Sequence, residues 1–282
     1  VLALLSAAMY GAADFVGGLT SRRVAAIVVV LVSQFSGLVL LSLALPFLPA
    51  ATPVQADWLW GVAAGLTGSA GIAFLYRALA VGTMAVVAPI TAVCAVTIPV
   101  FIAVALGERP GAQRTTGIAL AIVSIVMVTW QPDQRSREAS PGDTRKPSTA
   151  GVALAFASGV LIGLFFLSLA RTTPQAGLWP LFMARVVSVL FFGLLAIVMK
   201  QSLRMPRGVI GAVVGGGVLD MLANLVYLIA TKLGPLTEVV TLASLYPAST
   251  VLLARVILHE RLSSIQVAGI ACSLLAVVLL VR

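Results

Sequence analysis

Charge is scarce in this sequence. Asp, Glu, Lys and Arg make up 10% of its 282 residues, against about a quarter in a soluble domain. A chain so poor in charge cannot cover a water-facing surface, which excludes a soluble enzyme or a soluble nucleic-acid-binding domain. Histidine occurs once, as His259, so a multi-histidine metal site is excluded. Cysteine occurs twice, as Cys94 and Cys272, each within an apolar run. Both read as buried free thiols, and no disulfide framework is implied. The glycine-rich stretch 211–217 lies inside an apolar run. It lacks the preceding strand and following Lys-Ser/Thr of a phosphate loop. No cofactor is expected.

Hydrophobic residues are abundant, at 60%, and the mean hydropathy is +1.11. They fall into ten runs: 1–20, 24–48, 58–80, 84–106, 113–130, 150–170, 178–199, 208–231, 235–258 and 263–281. A membrane helix needs about 20 such residues, because each adds about 1.5 Å across a core about 30 Å thick. Helices are expected rather than strands, since the backbone must satisfy its own hydrogen bonds in lipid. Residues 131–149 differ: seven charges, three prolines and no apolar stripe mark a solvated linker between two halves, 1–130 and 150–282. Bases outnumber acids 18 to 9, for a net charge of +9. They sit mostly between the apolar runs, so anionic lipid headgroups are the expected partner rather than nucleic acid. The sequence opens on Val1 rather than Met, which points to a start that is missing or trimmed.

The two halves align without gaps at an offset of 152 residues. Gly65 falls on Gly217, Gly82 on Gly234, and Glu108-Arg109 on Glu260-Arg261. Each half holds five runs. Five is odd, so a repeated second half must enter the membrane from the opposite side. The expected architecture is two inverted five-helix repeats around a central cavity, with binding at the midplane and alternating access between the halves.

The end of each half carries a recognisable pattern. Leu106-Gly107-Glu108-Arg109 is followed by Gly117, and Leu258-His259-Glu260-Arg261 by Gly269. With ten runs and a central linker, the chain resembles the ten-helix EamA branch of the drug/metabolite transporter superfamily. The resemblance spans nearly the whole chain. Pro247 stands where that family commonly has proline, whereas Ala95 occupies the equivalent place in the first half, and His259 replaces the usual glycine. The resemblance implies a helical basket with a central cavity that the fifth and tenth helices do not line. It implies a secondary transporter, often an exporter of amino acids, other metabolites or drugs, in the cell membrane. It does not name the substrate.

Interior charges cost about 2.5–3.5 kcal/mol each on insertion scales, so they are the informative residues. Asp14 shares one helix face with Tyr10, Gly17 and Ser21. It reads as a cavity carboxylate that takes up a proton or meets a cation; an ion pair between helices is the structural alternative. The small multidrug-resistance relatives also carry a carboxylate in their first helix. Asp220, Asn224, Tyr227 and Thr231 form a second polar stripe, read as a cavity wall or as interhelical bonding. The repeat mates of Asp14 and Asp220 are Phe166 and Gly68, so the expected site is asymmetric. Arg185 reads as a counter-ion to Asp14 or Asp220, as a partner for a substrate carboxylate, or as a snorkelling residue. Gln34 and Glu238 are weaker candidates. Pro89, Pro99 and Pro247 remove backbone donors and read as kinks, either gating or static. Arg77, Arg171, Lys232 and Arg255 are expected to be snorkelling anchors. Trp58, Trp60, Trp130 and Trp179 are expected in interface belts.

The leading expectation is therefore a proton- or substrate-gradient-driven transporter of a small molecule. A membrane scaffold, or a membrane-embedded enzyme, is the alternative. The acids are dispersed and no Ser/His/Asp cluster accompanies the single histidine, which disfavours an enzyme. Twelve bases lie on the side of the odd-numbered connections and five on the other, with Arg185 internal. The positive-inside rule then places both termini outside, whereas the family resemblance places them in the cytoplasm. Orientation stays open, as do coupling ion and oligomeric state.

Overall fold

A computed structural model of the chain describes residues 1–47, 50–105, 111–129, 149–233, 246–259 and 263–281. Among these are ten α-helices and no strand. They are α1 (Leu2–Thr20), α2 (Ala26–Ala44), α3 (Gln55–Val81), α4 (Met84–Ala105), α5 (Ala112–Thr129), α6 (Thr149–Ala170), α7 (Trp179–Val198), α8 (Arg207–Leu233), α9 (Tyr246–Ile257) and α10 (Ser264–Val281). Each of the ten apolar runs contains one helix or most of it. The reason is the lipid requirement that backbone groups bond within their own segment. Six helices, as described, are long and apolar enough to cross a membrane. The first half of the ninth run, with Glu238, lies outside the described residues. So do Trp130, residues 131–148 of the linker, and the Glu-Arg loops at 108–109 and 260–261.

The apolar surface turns outward. Leu43, Leu59, Leu190, Leu194, Leu252 and Val256 are each more than half exposed. In water such a surface would drive association; against lipid tails it costs nothing. Arg77, Arg171 and Arg255 are exposed at helix ends, as snorkelling anchors are. His259 has φ +53° just beyond α9. That left-handed conformation favours glycine and tolerates histidine better than most residues. It supplies a physical reason for a glycine-favouring position in the closing pattern of a half.

Packing between the halves follows an exchange rule. α1 packs on α8 and α9, while their sequence counterparts α6, α3 and α4 make the matching contacts, α6 on α3 and α4. α2 packs on α8, and α7 on α3. The pairs α2–α7, α4–α9 and α5–α10 each join a helix to its own counterpart. Where α2 and α7 cross they run antiparallel: Gln34 meets Arg185, and Leu31 meets Gly193. The repeat mates Gly65 and Gly217 sit at equivalent crossings. Gly65 lies on the backbone of Ala184 in α7, and Gly217 on that of Ser33 in α2. A Cβ at either would collide with a carbonyl oxygen, so small residues set these helix separations.

One end of the bundle is tied by polar bonds. The buried Asp57 carboxylate accepts from the backbone N–H of Val54 at 2.9 Å. It also accepts from the N–H and hydroxyl of Thr173, at 2.7 and 2.9 Å. The bond from the N–H of Thr52 to the carbonyl of Gln175 lies beside it, and Trp58 packs at a tilt against Trp179 with ring centroids 5.7 Å apart. The loop before α3 is thereby fastened to the loop before α7. Sequence reading put Trp58 and Trp179 at the interface and overlooked Asp57.

Gly65→Ala and Gly217→Ala should each lower the melting temperature of the purified protein, because the crossing must open. Gly215→Ala in the same helix faces open space. It should leave the temperature unchanged or raise it slightly, since alanine favours helix by about 1 kcal/mol. A thermal unfolding series in one detergent compares the three.

Candidate functional site

The α2–α7 crossing brings two polar side chains together inside the bundle. Arg185, 6% exposed, donates one guanidinium nitrogen to Oε1 of Gln34 and the other to Oδ2 of Asp220, the latter at 2.5 Å. Arg185 is thus the counter-ion of Asp220. It neither snorkels to the headgroups nor pairs with Asp14. Its burial follows from its place on α7: the neighbouring positions Ala184 and Ser188 are also buried, and face α3 and α2 rather than lipid. Asp220 sits one helical turn before Asn224, whose amide donates to the Asp220 carbonyl at 2.8 Å. That bond stays within α8, so it links Asn224 to no second helix. The Thr231 side chain, the last member of the stripe, lies outside the described residues.

Asp14 faces the same region from α1. The Ser6 hydroxyl donates to the carbonyl of Ala223, and Val16 meets Gly216, so α1 and α8 cross antiparallel. Between these contacts Tyr10 stands level with Asp220, with Asp14 one turn further on. Asp14 and Asp220 interact electrostatically. Asp14 is half-buried, and it has no hydrogen-bond or ion-pair partner among the described residues. The two acids therefore differ in kind. Asp220 is neutralised by Arg185, and Asp14 is not.

All four tyrosines of the chain gather here. Tyr10 packs edge-on to Tyr246 of α9, with ring centroids 6.4 Å apart. The Tyr76 ring of α3 lies on Gly17, one turn beyond Asp14, and Ser33 of α2 stands near its hydroxyl. The charge of Asp14 acts on Tyr10, Tyr76 and Tyr246. Tyr227 interacts with Tyr10 and packs beside Leu2 and Ala3, nearer the end of the bundle. Tyr10, Asp14, Gln34, Arg185, Asp220 and Tyr227 are thus brought together. Tyr76, Tyr246 and Ser33 belong with them and were missed by sequence reading. The available signal was rarity: four tyrosines against eleven phenylalanines.

The prolines stand apart from this cluster. α4 continues through Pro89 and Pro99, so neither ends the helix, and Pro89 is buried. The Pro99 side chain lies outside the described residues. Pro247 is buried near the described start of α9. No ligand cluster for a metal occurs among the described residues.

Removing one member of the Arg185–Asp220 pair leaves a buried charge uncompensated, which costs about 3–5 kcal/mol. Arg185→Met and Asp220→Leu should each lower the melting temperature sharply. The double variant, with no charge left to bury, should recover much of the loss. A double-mutant cycle in thermal unfolding measures the coupling.

A solved crystal structure of a protein is similar over 97% of this chain and 96% of its own length, with a TM-score of 0.56 and 18% identity. At that identity the likeness speaks for the fold alone. No curated protein matches the chain. The EamA-like transporter family matches residues 1–130 and 149–282, so the family's domain occurs twice. Family, helices and apolar surface agree: the chain belongs to the EamA-like transporter family and is a multi-pass helical membrane protein.

Proposed function

We propose that the chain is a secondary active transporter that exports a small metabolite or drug-like compound across the cell membrane, coupled to protons through Asp14. The observation that carries this reading is an interior carboxylate on α1 with no counter-ion among the described residues, beside a neutralised Arg185–Asp220 pair. A carboxylate kept in an apolar interior without a partner is costly, and a role in carrying a proton or solute explains its presence. The family's description as transporters supports the same reading.

The proposed mechanism is alternating access between two inverted five-helix units, 1–130 and 150–282. The exchange rule in helix packing and the antiparallel crossing of α2 with α7 support it. In this mechanism Asp14 exchanges its proton, Arg185 keeps Asp220 neutralised, and the polar faces of α1, α2, α7 and α8 line the path. Pro89, Pro99 and Pro247, on the counterpart helices α4 and α9, are proposed as bends about which those helices are shaped. The bonds of Asp57 and Thr173 would hold one end shut.

Two measurements test these points. In vesicles, Asp14→Asn should abolish flux driven by a proton gradient at unchanged expression and folding; undiminished flux would exclude the coupling role. In a background with Cys94 and Cys272 replaced by alanine, Arg23→Cys and Gln175→Cys place thiols at exposed repeat mates. Inverted units require them to react with an impermeant maleimide from opposite sides of the membrane. Labelling from one side would refute the inversion.

A further inference from the structure

We infer that the end of the bundle opposite Asp57 holds a binding site for the phosphate of an anionic phospholipid, between Arg23 of the α1–α2 loop and Arg204 of the α7–α8 loop. The site is separate from Asp14 and does not depend on its proposed role.

The repeat locates the site. At the tied end the N–H of Thr52 bonds to the carbonyl of Gln175, and Thr173 donates twice to the Asp57 carboxylate. At the other end the mates of Thr52 and Gln175 are Arg204 and Arg23, and those of Asp57 and Thr173 are Val209 and Ser21. These loops, too, lie side by side. α2 crosses α7 antiparallel and so runs in the same sense as α8, against which it packs. The loops that precede α2 and α8 therefore share one end of the bundle. Val24 of one and Met205 of the other pack against the apolar cluster that contains Val209.

The chemistry of the two ends is opposite. Residues 21–25 and 199–207 hold five bases and no acid, whereas the matching stretches 173–177 and 51–59 hold no base and one acid. The bases therefore belong to one copy and are not needed by the scaffold. Arg23, Lys200, Arg204 and Arg207 are exposed, and none has an ion-pair partner among the described residues. Two arginines on adjoining loops repel unless an anion stands between them. A second, independent observation points to the same missing group. Ser21 is 5% exposed and its hydroxyl has no hydrogen-bond partner among the described residues. Its mate Thr173 has an acceptor in Asp57, which Val209 replaces here. A phosphate supplies the acceptor oxygens that this end lacks, in a geometry that guanidinium groups match with paired N–H donors. The source is lipid, because Met199 and Leu203 of the α7–α8 loop are more than half exposed beside the bases. Bases next to bare apolar side chains suit a headgroup next to its tails. The phosphate stands at this end where the Asp57 carboxylate stands at the other.

The test adds phosphatidylglycerol, phosphatidylcholine or inorganic phosphate to the purified full chain, stripped of lipid in an uncharged detergent, and follows the melting temperature. Phosphatidylglycerol should raise it in a saturable way. Phosphatidylcholine, whose phosphate carries its own counter-ion, and inorganic phosphate at the same concentration should not. Arg23→Gln and Arg204→Gln should each weaken the affinity for phosphatidylglycerol about fivefold, and the double variant should lose the shift. Both residues are exposed, so neither change should lower the melting temperature without lipid. Arg171→Gln, exposed at the tied end, should alter neither quantity. Arg204→Glu supplies the anion from the chain itself. It should raise the lipid-free melting temperature by pairing with Arg23, and remove the response to phosphatidylglycerol. No shift with phosphatidylglycerol, or a full shift in the double variant, would overturn the inference. An equal shift with phosphatidylcholine would reduce it to general solvation by lipid, and an equal shift with inorganic phosphate would refute the lipid source. Asp14→Asn should keep the whole phosphatidylglycerol shift; losing it would refute a separate site. Flux in vesicles by that variant bears on the transport reading alone.

Discussion

Placing a guanidinium inside an apolar bundle costs several kcal/mol unless a carboxylate stands beside it. Arg185 meets that cost with Asp220 on the next helix and Gln34 across the bundle. The remainder of the interior follows from this arrangement. α2, α7 and α8 must come close enough for three side chains to touch. The glycines at 65 and 217 allow the flanking crossings to close to that distance. Asp14, arriving on α1 at the neighbouring level, finds Arg185 already occupied. Its isolation is a consequence of the pair next to it.

Scaffold and site obey different symmetries. The helix contacts are exchanged when the two halves are exchanged, down to the mates Gly65 and Gly217. The polar residues are not. Arg185 has Ser33 as its mate, Asp14 has Phe166, and Asp220 has Gly68. At the α3–α6 crossing the Phe165 ring packs on Gly68. At the matching α8–α1 crossing, Ala13 stands in place of Phe165 and Asp220 in place of Gly68. A large apolar ring over glycine in one half has become a small residue beside a carboxylate in the other. Such substitutions change what the interior binds without changing how the helices pack. A family built on one scaffold can diverge in cargo by this route.

The exposed and tied ends carry a further division of labour. Asp57 draws three hydrogen bonds at the start of α3, where Trp58 and Trp179 also pack together. The sequence counterpart of Asp57 is Val209, which is part of the apolar core, and that of Trp179 is Ile27, which packs against it. The two ends of the bundle are therefore held by different physics. Hydrogen bonds to a buried carboxylate are directional and break abruptly, whereas apolar contact yields gradually.

The helical character of each apolar run and the doubled organisation were legible in the amino-acid order. Lipid leaves the backbone one solution, and run length alone then sets each helix. Asp14, Asp220 and Arg185 stood out for the same reason: a charge in an apolar run is conspicuous wherever it points. What the order could not decide was pairing. Arg185 had three eligible partners, and the choice of Asp220 over Asp14 depends on how α7 and α8 are rotated. That rotation is fixed by contacts between residues far apart in the chain. Rarity alone marked Tyr76 and Tyr246, and nothing marked Ser33, for a related reason. Each is an ordinary residue within its own helix, and only the convergence of α1, α2, α3 and α9 makes them neighbours of one carboxylate. Composition and periodicity act along a single helix; the site lies between helices, where tertiary packing decides.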